Sequence, residues 1–264
     1  MDASTLKRIA NERRADALKM IVQANTGHVG GSLSCIDILT ELYYDVLSPE
    51  DLFLLSKGHS VEGYWAILAD LGYFPKSELN TYSKEGARIF GHPCNEVPGV
   101  AMCTGALGHG LPVSVGFALI AKRLNQSKRA FVVMGDGELE EGSIWEAAMA
   151  ASHYHLDNLF AIIDRNGLQI SGTTEQVIGL EDLAARWSAF GWDVEELDGN
   201  DMQALQHYFH KDHLADKPHM LIAHTIKGKG LPCAENKKEW HHKTPSREQM
   251  DEALLALGVK EVQW

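Results

Sequence analysis

The chain has 264 residues, 45% hydrophobic and 23% charged, which is enough apolar content for one large core or two small ones. Lys and Arg total 24 against 36 for Asp and Glu, a formal charge of -12. That balance argues against nonspecific nucleic-acid binding but leaves room for an anionic ligand in a locally positive site. No apolar run approaches the roughly 18 to 20 residues of a membrane span, and the charged N-terminus (Asp2, Lys7, Arg8, Glu12, Arg13, Arg14) has no apolar signal core behind it, so a cytoplasmic protein is expected.

Leu6, Ile9, Ala10, Ala17, Leu18, Met20 and Ile21 fall at helical spacing and predict a helix over roughly 6–24. A turn is expected at 27–32, a helix from about Cys35 to Tyr44, a short buried strand at Leu52–Leu55 and a helix through Tyr64 to Leu68. Residues 74–107, with Pro75, Pro93 and Pro98, read as a long irregular segment of the kind that often carries function. After an apolar helix near 111–124 the chain alternates. Strands are predicted at 130–134, 159–163, 193–197 and 220–225, with helices at 143–152, 180–190 and 202–209 and a last helix near 247–257. This alternation implies an α/β fold: a parallel sheet with helices on both faces and ligands at the carboxyl ends of its strands. Cys35, Cys94, Cys103 and Cys233 are scattered and read as reduced structural thiols.

Two strand ends carry the chemistry. Gly135-Asp136-Gly137-Glu138 follows the 130–134 strand, and Asp164-Arg165-Asn166-Gly167 follows the 159–163 strand. Adjacent strands would then deliver two hard oxygen ligands, Asp136 and Asn166, to one place, which suits Mg²⁺ (or Ca²⁺ or Mn²⁺) with positions left for phosphate and water. Gly137 would let a phosphate approach the backbone. The helix starting near Ser143 would point its amide end at the site.

This arrangement resembles the thiamine-diphosphate enzymes, whose signature is Gly-Asp-Gly followed by an Asn after the next strand. The resemblance implies their cofactor-binding fold and makes the Leu168 carbonyl a third metal ligand. Within that group the chain is similar to transketolases along almost its whole length. Gly27-His28, Ser56-Lys57-Gly58-His59, Gly91-His92-Pro93, Thr104-Gly105-Ala106-Leu107-Gly108, Asn166-Gly167-Leu168, Lys227-Gly228-Lys229-Gly230 and Glu239-Trp240-His241 occur in the family's order. Transketolases break a carbon–carbon bond of a ketose and pass a two-carbon unit to an aldose, so protons move at several hydroxyls, and histidine suits that work. By resemblance His28, His59 and His92 contact the ketose oxygens. His59, Gly105, Leu107, Asp136, Gly137, Glu138, Asn166 and His241 contact the cofactor. Glu141 and Glu146 match acidic residues at the family's dimer interface, where they would share protons with a partner glutamate. His241 is favoured over His242, Lys227 and Lys229 are left between site and loop charge, and His153 and His155 are read as surface residues. His109 stands where transketolases usually have Gln.

Transketolase chains are usually more than twice as long. The expectation is therefore a single diphosphate- and metal-binding domain over 1–264, with the pyrimidine-binding and C-terminal domains on a partner chain in an α2β2 assembly acting on sugars or sugar phosphates. Two alternatives remain open. One is another thiamine-diphosphate enzyme, of the 2-oxo-acid dehydrogenase or deoxyxylulose-phosphate synthase type. The other is a noncatalytic thiamine-diphosphate-binding protein. A nucleotide-binding domain is disfavoured, since no Gly-x-Gly-x-x-Gly and no Walker-type Lys follows a strand.

Overall fold

The structure, a computed structural model, describes residues 1–260 and 262. Among these residues β1 (Leu52–Leu55), β2 (Ala130–Gly135), β3 (Leu159–Arg165), β4 (Asp193–Asp198) and β5 (His219–His224) form one parallel sheet in the order β1-β2-β3-β5-β4. The inner strands are near-continuous apolar runs because both faces are covered. Phe53, Leu55, Phe131, Val133, Phe160, Ile162 and Leu221 face one helical layer. That layer is built from α1 (Ala3–Ala24), α2 (Val29–Ser34), α3 (Ile36–Glu41), α4 (Val61–Asp70) and α9 (Met202–His210). Leu54, Val132, Met134, Ala161, Ile163 and Ile222 face the other, built from α5 (Gly110–Arg123), α6 (Gly142–His153) and α8 (Leu183–Ala189). Short α7 (Thr174–Val177) follows β3, and α10 (Arg247–Leu257) packs on α1.

Register brings the strand ends together. Leu55 pairs with Val133, Gly135 with Asp164, and Asp164 with Ala223. The residues that follow (Lys57, Asp136, Asn166 and Thr225) therefore emerge along one edge of the sheet.

Three sequence expectations are corrected. The expected turn at 27–32 is helical from Val29. Gly30 and Gly31 are glycines for packing: a Cβ on Gly30 would meet the Trp240 carbonyl at 2.7 Å, and one on Gly31 the Ser60 hydroxyl at 2.6 Å. The expected helix at Cys35–Tyr44 ends as an α-helix at Glu41 and widens into a π turn over Leu42–Val46. The expected helix at 180–190 begins only at Leu183, where the Asp182 carboxylate accepts from the Ala185 N–H at 3.1 Å and caps it. Among the described residues no helix is long and apolar enough to cross a membrane.

Candidate functional site

A cleft of about 370 Å³ opens at the carboxyl ends of β1, β2 and β3. It is lined by His28, His59, His92 and His241 together with Gly105, Leu107, Asp136, Gly137, Glu138, Asn166 and Leu168. The sequence places these residues up to 213 positions apart (His28 to His241), and the fold gathers them.

Oxygen donors stand at the cleft floor. Asp136 is buried; its Oδ1 accepts from Gly137 N at 2.9 Å and its Oδ2 from Gly167 N at 2.5 Å. Burial, reinforced by the Asp164 carboxylate, raises its pKa. The Asn166 amide oxygen accepts from Leu168 N at 3.2 Å, and the Leu168 carbonyl accepts from Lys227 Nζ at 3.0 Å. A carboxylate, an amide oxygen and a backbone carbonyl are the donor chemistry a hard divalent cation takes, and an ammonium already sits on one of them, so the set fits such an ion.

Two buried lysines, Lys57 and Lys227, stand among the carboxylates of the floor. Lys57 donates to the Gly31 carbonyl at 3.1 Å and to Asp164, which also accepts from Ser34 Oγ at 2.6 Å and from Thr225 Oγ1. Burial works against the charge on Lys57, but the Asp164 carboxylate outweighs it and the pKa ends above the usual lysine value. Lys227 makes no direct ion pair; burial and then Lys57 pull it down to about 8, against the opposing pull of Asp136 and Asp164. An anion beside Lys227 would relieve that repulsion, so this end of the cleft fits a diphosphate.

The histidines form one cluster. His28 lies 5.4 Å from His59, 6.3 Å from His92, 5.7 Å from His241 and 4.6 Å from His242, ring centre to ring centre. Burial first, then the neighbouring imidazoles and lysines, lowers His28 to about 4 and His241 to about 3, and holds His59 well below its usual value. These three rings are therefore neutral at pH 7. The Nδ1 atoms of His28 and His241 are buried with no hydrogen-bond partner, so each has capacity for a ligand. His28 is fixed through its backbone N–H, which donates to Glu62 Oε1 at 2.9 Å; Tyr82 Oη donates to the same oxygen at 2.8 Å and Ser32 Oγ to the other. His92 rests on Gly105, whose φ is +125° and where any Cβ would strike the imidazole ring.

Glu138 lines the cleft, but its carboxylate is committed to the loops around it, accepting from Ser56 Oγ, from Gly108 N at 2.9 Å and from Gly135 N at 3.2 Å. Glu141 and Glu146 lie outside the cleft and are exposed. Glu146 and His109 line a separate groove between α5 and α6. The amide end of α6 does not reach the site either. A 3-10 turn over Gly137–Glu140 intervenes, so α6 opens at 141–143, just outside the cleft lining, where Ser143 Oγ donates to the Gly108 carbonyl at 2.7 Å. Lys229 is outside the lining, whereas Lys227 is within it.

Sequence reasoning did not single out Lys57, Asp164 or Glu62 for a role in the site. Lys57 had a signal: a lysine directly after a buried parallel strand must find a counter-charge at the strand ends. Cys94 and Cys103, scattered in the sequence, meet in the fold, their Sγ atoms 3.0 Å apart.

Comparison with known proteins places the chain in one family. The family described as transketolase, thiamine diphosphate binding domain, matches residues 5–263. The chain is 46% identical over 270 residues to one of the subunits of the apulose-4-phosphate transketolase of Phocaeicola vulgatus, covering 98% of this chain and 96% of that protein. It is 37% identical to a 6-deoxy-6-sulfo-D-fructose transketolase subunit of Clostridium sp., covering 96% of each. Among solved structures, transketolase from Leishmania mexicana superposes with a TM-score of 0.91 at 26% identity, over 98% of this chain and 42% of that one. The chain thus spans nearly the whole of those subunits and about two fifths of that solved transketolase.

Proposed function

The chain belongs to the transketolase family, through its thiamine-diphosphate-binding domain, and from that premise we propose that it is the diphosphate- and metal-binding subunit of a split transketolase. The observation that carries the reading is the single cleft that unites Asp136, Asn166 and the Leu168 carbonyl with two buried lysines and four histidines. Asp136, Asn166 and Leu168 would hold Mg²⁺, and Lys227 and His241 the diphosphate, with Gly105 and Leu107 against the cofactor rings. Thiamine diphosphate, when bound, supplies the carbon nucleophile for cleaving the ketose carbon–carbon bond.

His28, His59 and His92 orient the ketose. Rings that are neutral at pH 7, as His28 and His59 are, both donate and accept, so they can hold a hydroxyl and move its proton without a standing charge. Glu138 acts indirectly, by bracing the loops that carry Ser56, Gly108 and Gly135.

A partner chain would supply the pyrimidine-binding and C-terminal domains, with 1–264 acting as one domain. The relatives are named as subunits, and α5 and α6 expose Val113, Ile120 and Met149 beside Glu146, an apolar face suited to burial in an α2β2 assembly. Glu141 and Glu146 would meet the partner's acidic groups there. The substrates would be ketose and aldose phosphates of cytoplasmic carbohydrate metabolism, as in the pentose phosphate series.

Titrating thiamine diphosphate into the assembled protein, with and without Mg²⁺, tests the site. Binding should depend on the metal and be lost in Asp136→Asn. Mg²⁺-dependent binding that survives Asp136→Asn would remove the metal assignment.

A further inference from the structure

A second cluster of ligating side chains lies at the opposite end of the sheet. Asp193 opens β4, His219 opens β5, and His213 sits in the connection between α9 and β5. One nitrogen from each histidine and one Asp193 carboxylate oxygen lie within 4.8 Å of one another. We propose that Asp193, His213 and His219 form a binding site for a borderline divalent cation, Zn²⁺ in the first instance, which ties this connection to the edge strand β4.

The hydrogen bonds around His219 argue for a cation. Its Nε2 is 3.2 Å from the Asp157 carbonyl and its Nδ1 is 3.2 Å from Asp193 Oδ2. Both partners only accept. A neutral imidazole has one N–H, so whichever nitrogen carries it, the other contact sets acceptor against acceptor. With Nε2–H donating to the carbonyl, the Nδ1 lone pair points at the carboxylate, and a cation between them satisfies both. The 3.2 Å separation agrees with the about 3.3 Å expected between two N/O ligands bound tetrahedrally to zinc at roughly 2.0–2.1 Å.

His213 distinguishes a metal from a mere extra proton. Both of its ring nitrogens are shielded from solvent and neither reaches good hydrogen-bond geometry, the Tyr208 backbone carbonyl being near one of them. With one nitrogen facing the Tyr208 carbonyl, an extra proton on His219 would leave the other orphaned, whereas a metal ion takes that one as its third ligand. The Asp157 carbonyl then holds the His219 ring in orientation, the usual arrangement behind a metal-bound histidine. Phe160 packs against both imidazoles at 5.0 and 4.7 Å, and Tyr208 against His213 at 5.0 Å, which gives the site a dry wall. Nearby Lys211 is paired with Glu195. Asp193 is about one quarter exposed, leaving an entry path and a fourth position for water.

The test is a titration of the whole chain with Zn²⁺ and with Co²⁺, in saturating Mg²⁺ and thiamine diphosphate to occupy the cleft. The expected result is about one Zn²⁺ per chain, four-coordinate ligand-field bands with Co²⁺, and affinity lowered about tenfold or more in His213→Gln and in Asp193→Asn. His59→Asn, in the cleft cluster, should leave that binding intact. Should Asp193→Asn fold poorly, His213→Gln together with the nitrogen NMR shifts of His219 decides. Zn²⁺ binding that ignores His213→Gln but is lost in His59→Asn would overturn the proposal, as would a doubly protonated His219 indifferent to Zn²⁺.

Discussion

Substituting Asp164 by Asn probes the electrostatics beneath the cleft. Asp164 and Lys57 are both within 2% of complete burial, and Asp164 is the carboxylate that Lys57 donates to. Asn keeps the shape and still offers an oxygen to Lys57, but the counter-charge is gone. The ammonium is then left buried between the Gly31 carbonyl and a neutral amide. Removing one partner of a buried pair costs about 3–5 kcal/mol. For a chain of this size that is of order 10 °C in Tm. Urea unfolding should show a lower midpoint at unchanged slope. The double variant Lys57→Met/Asp164→Asn removes both charges and should be more stable than Asp164→Asn alone. An Asp164→Asn protein within about 1 kcal/mol of the parent, or a double variant less stable than the single one, would refute the reasoning.

Glu41→Gln should reveal a pH-dependent cost. Burial, then the neighbouring Asp45, raises the Glu41 carboxyl to about 7 from 4.5. Below pH 4.5 both folded and unfolded states hold the proton; between 4.5 and about 7 only the folded state does, so stability falls as pH rises and then levels off. The variant should therefore match the parent at pH 4 and exceed it at pH 8 by at most about 3 kcal/mol, read from denaturant midpoints. A pH-independent difference would remove this account. Gly30→Ala places a methyl 2.7 Å from the Trp240 carbonyl and 3.2 Å from Lys227, so it should displace the segment bearing Lys227 and His241. It should cost about 1–3 kcal/mol and weaken cofactor binding. Gly116→Ala, with open space around it, should instead stabilise the isolated chain by about 0.5–1 kcal/mol.

Much of the sheet was legible because its strands are short buried apolar runs separated by helical periods, and both faces impose the same pattern. The Asp136 and Asn166 strand ends were legible for the same reason, since each follows a run such as Phe131-Val132-Val133-Met134. The start of α2 was hidden because Gly30 and Gly31 carry turn-like propensity, and only the approach of Trp240 and Ser60, distant in sequence, explains them. The Lys57–Asp164 pair, the Glu62 brace behind His28 and the Cys94–Cys103 contact were hidden because each joins segments that only the tertiary fold brings together. The cluster of Asp193, His213 and His219 matches no motif in the sequence; strand register pairs Asp193 with His219, and the connection after α9 brings in His213.

The most direct test of the central claim is ketol transfer from xylulose 5-phosphate to ribose 5-phosphate, in thiamine diphosphate and Mg²⁺. The chain should be assayed alone and after co-purification with a chain that supplies the pyrimidine-binding and C-terminal domains. Activity only in the mixture, lost in His59→Ala without loss of assembly, is the predicted result. Full activity of this chain by itself, or an assembled mixture in which His59→Ala transfers the two-carbon unit as fast as the parent, would contradict the account.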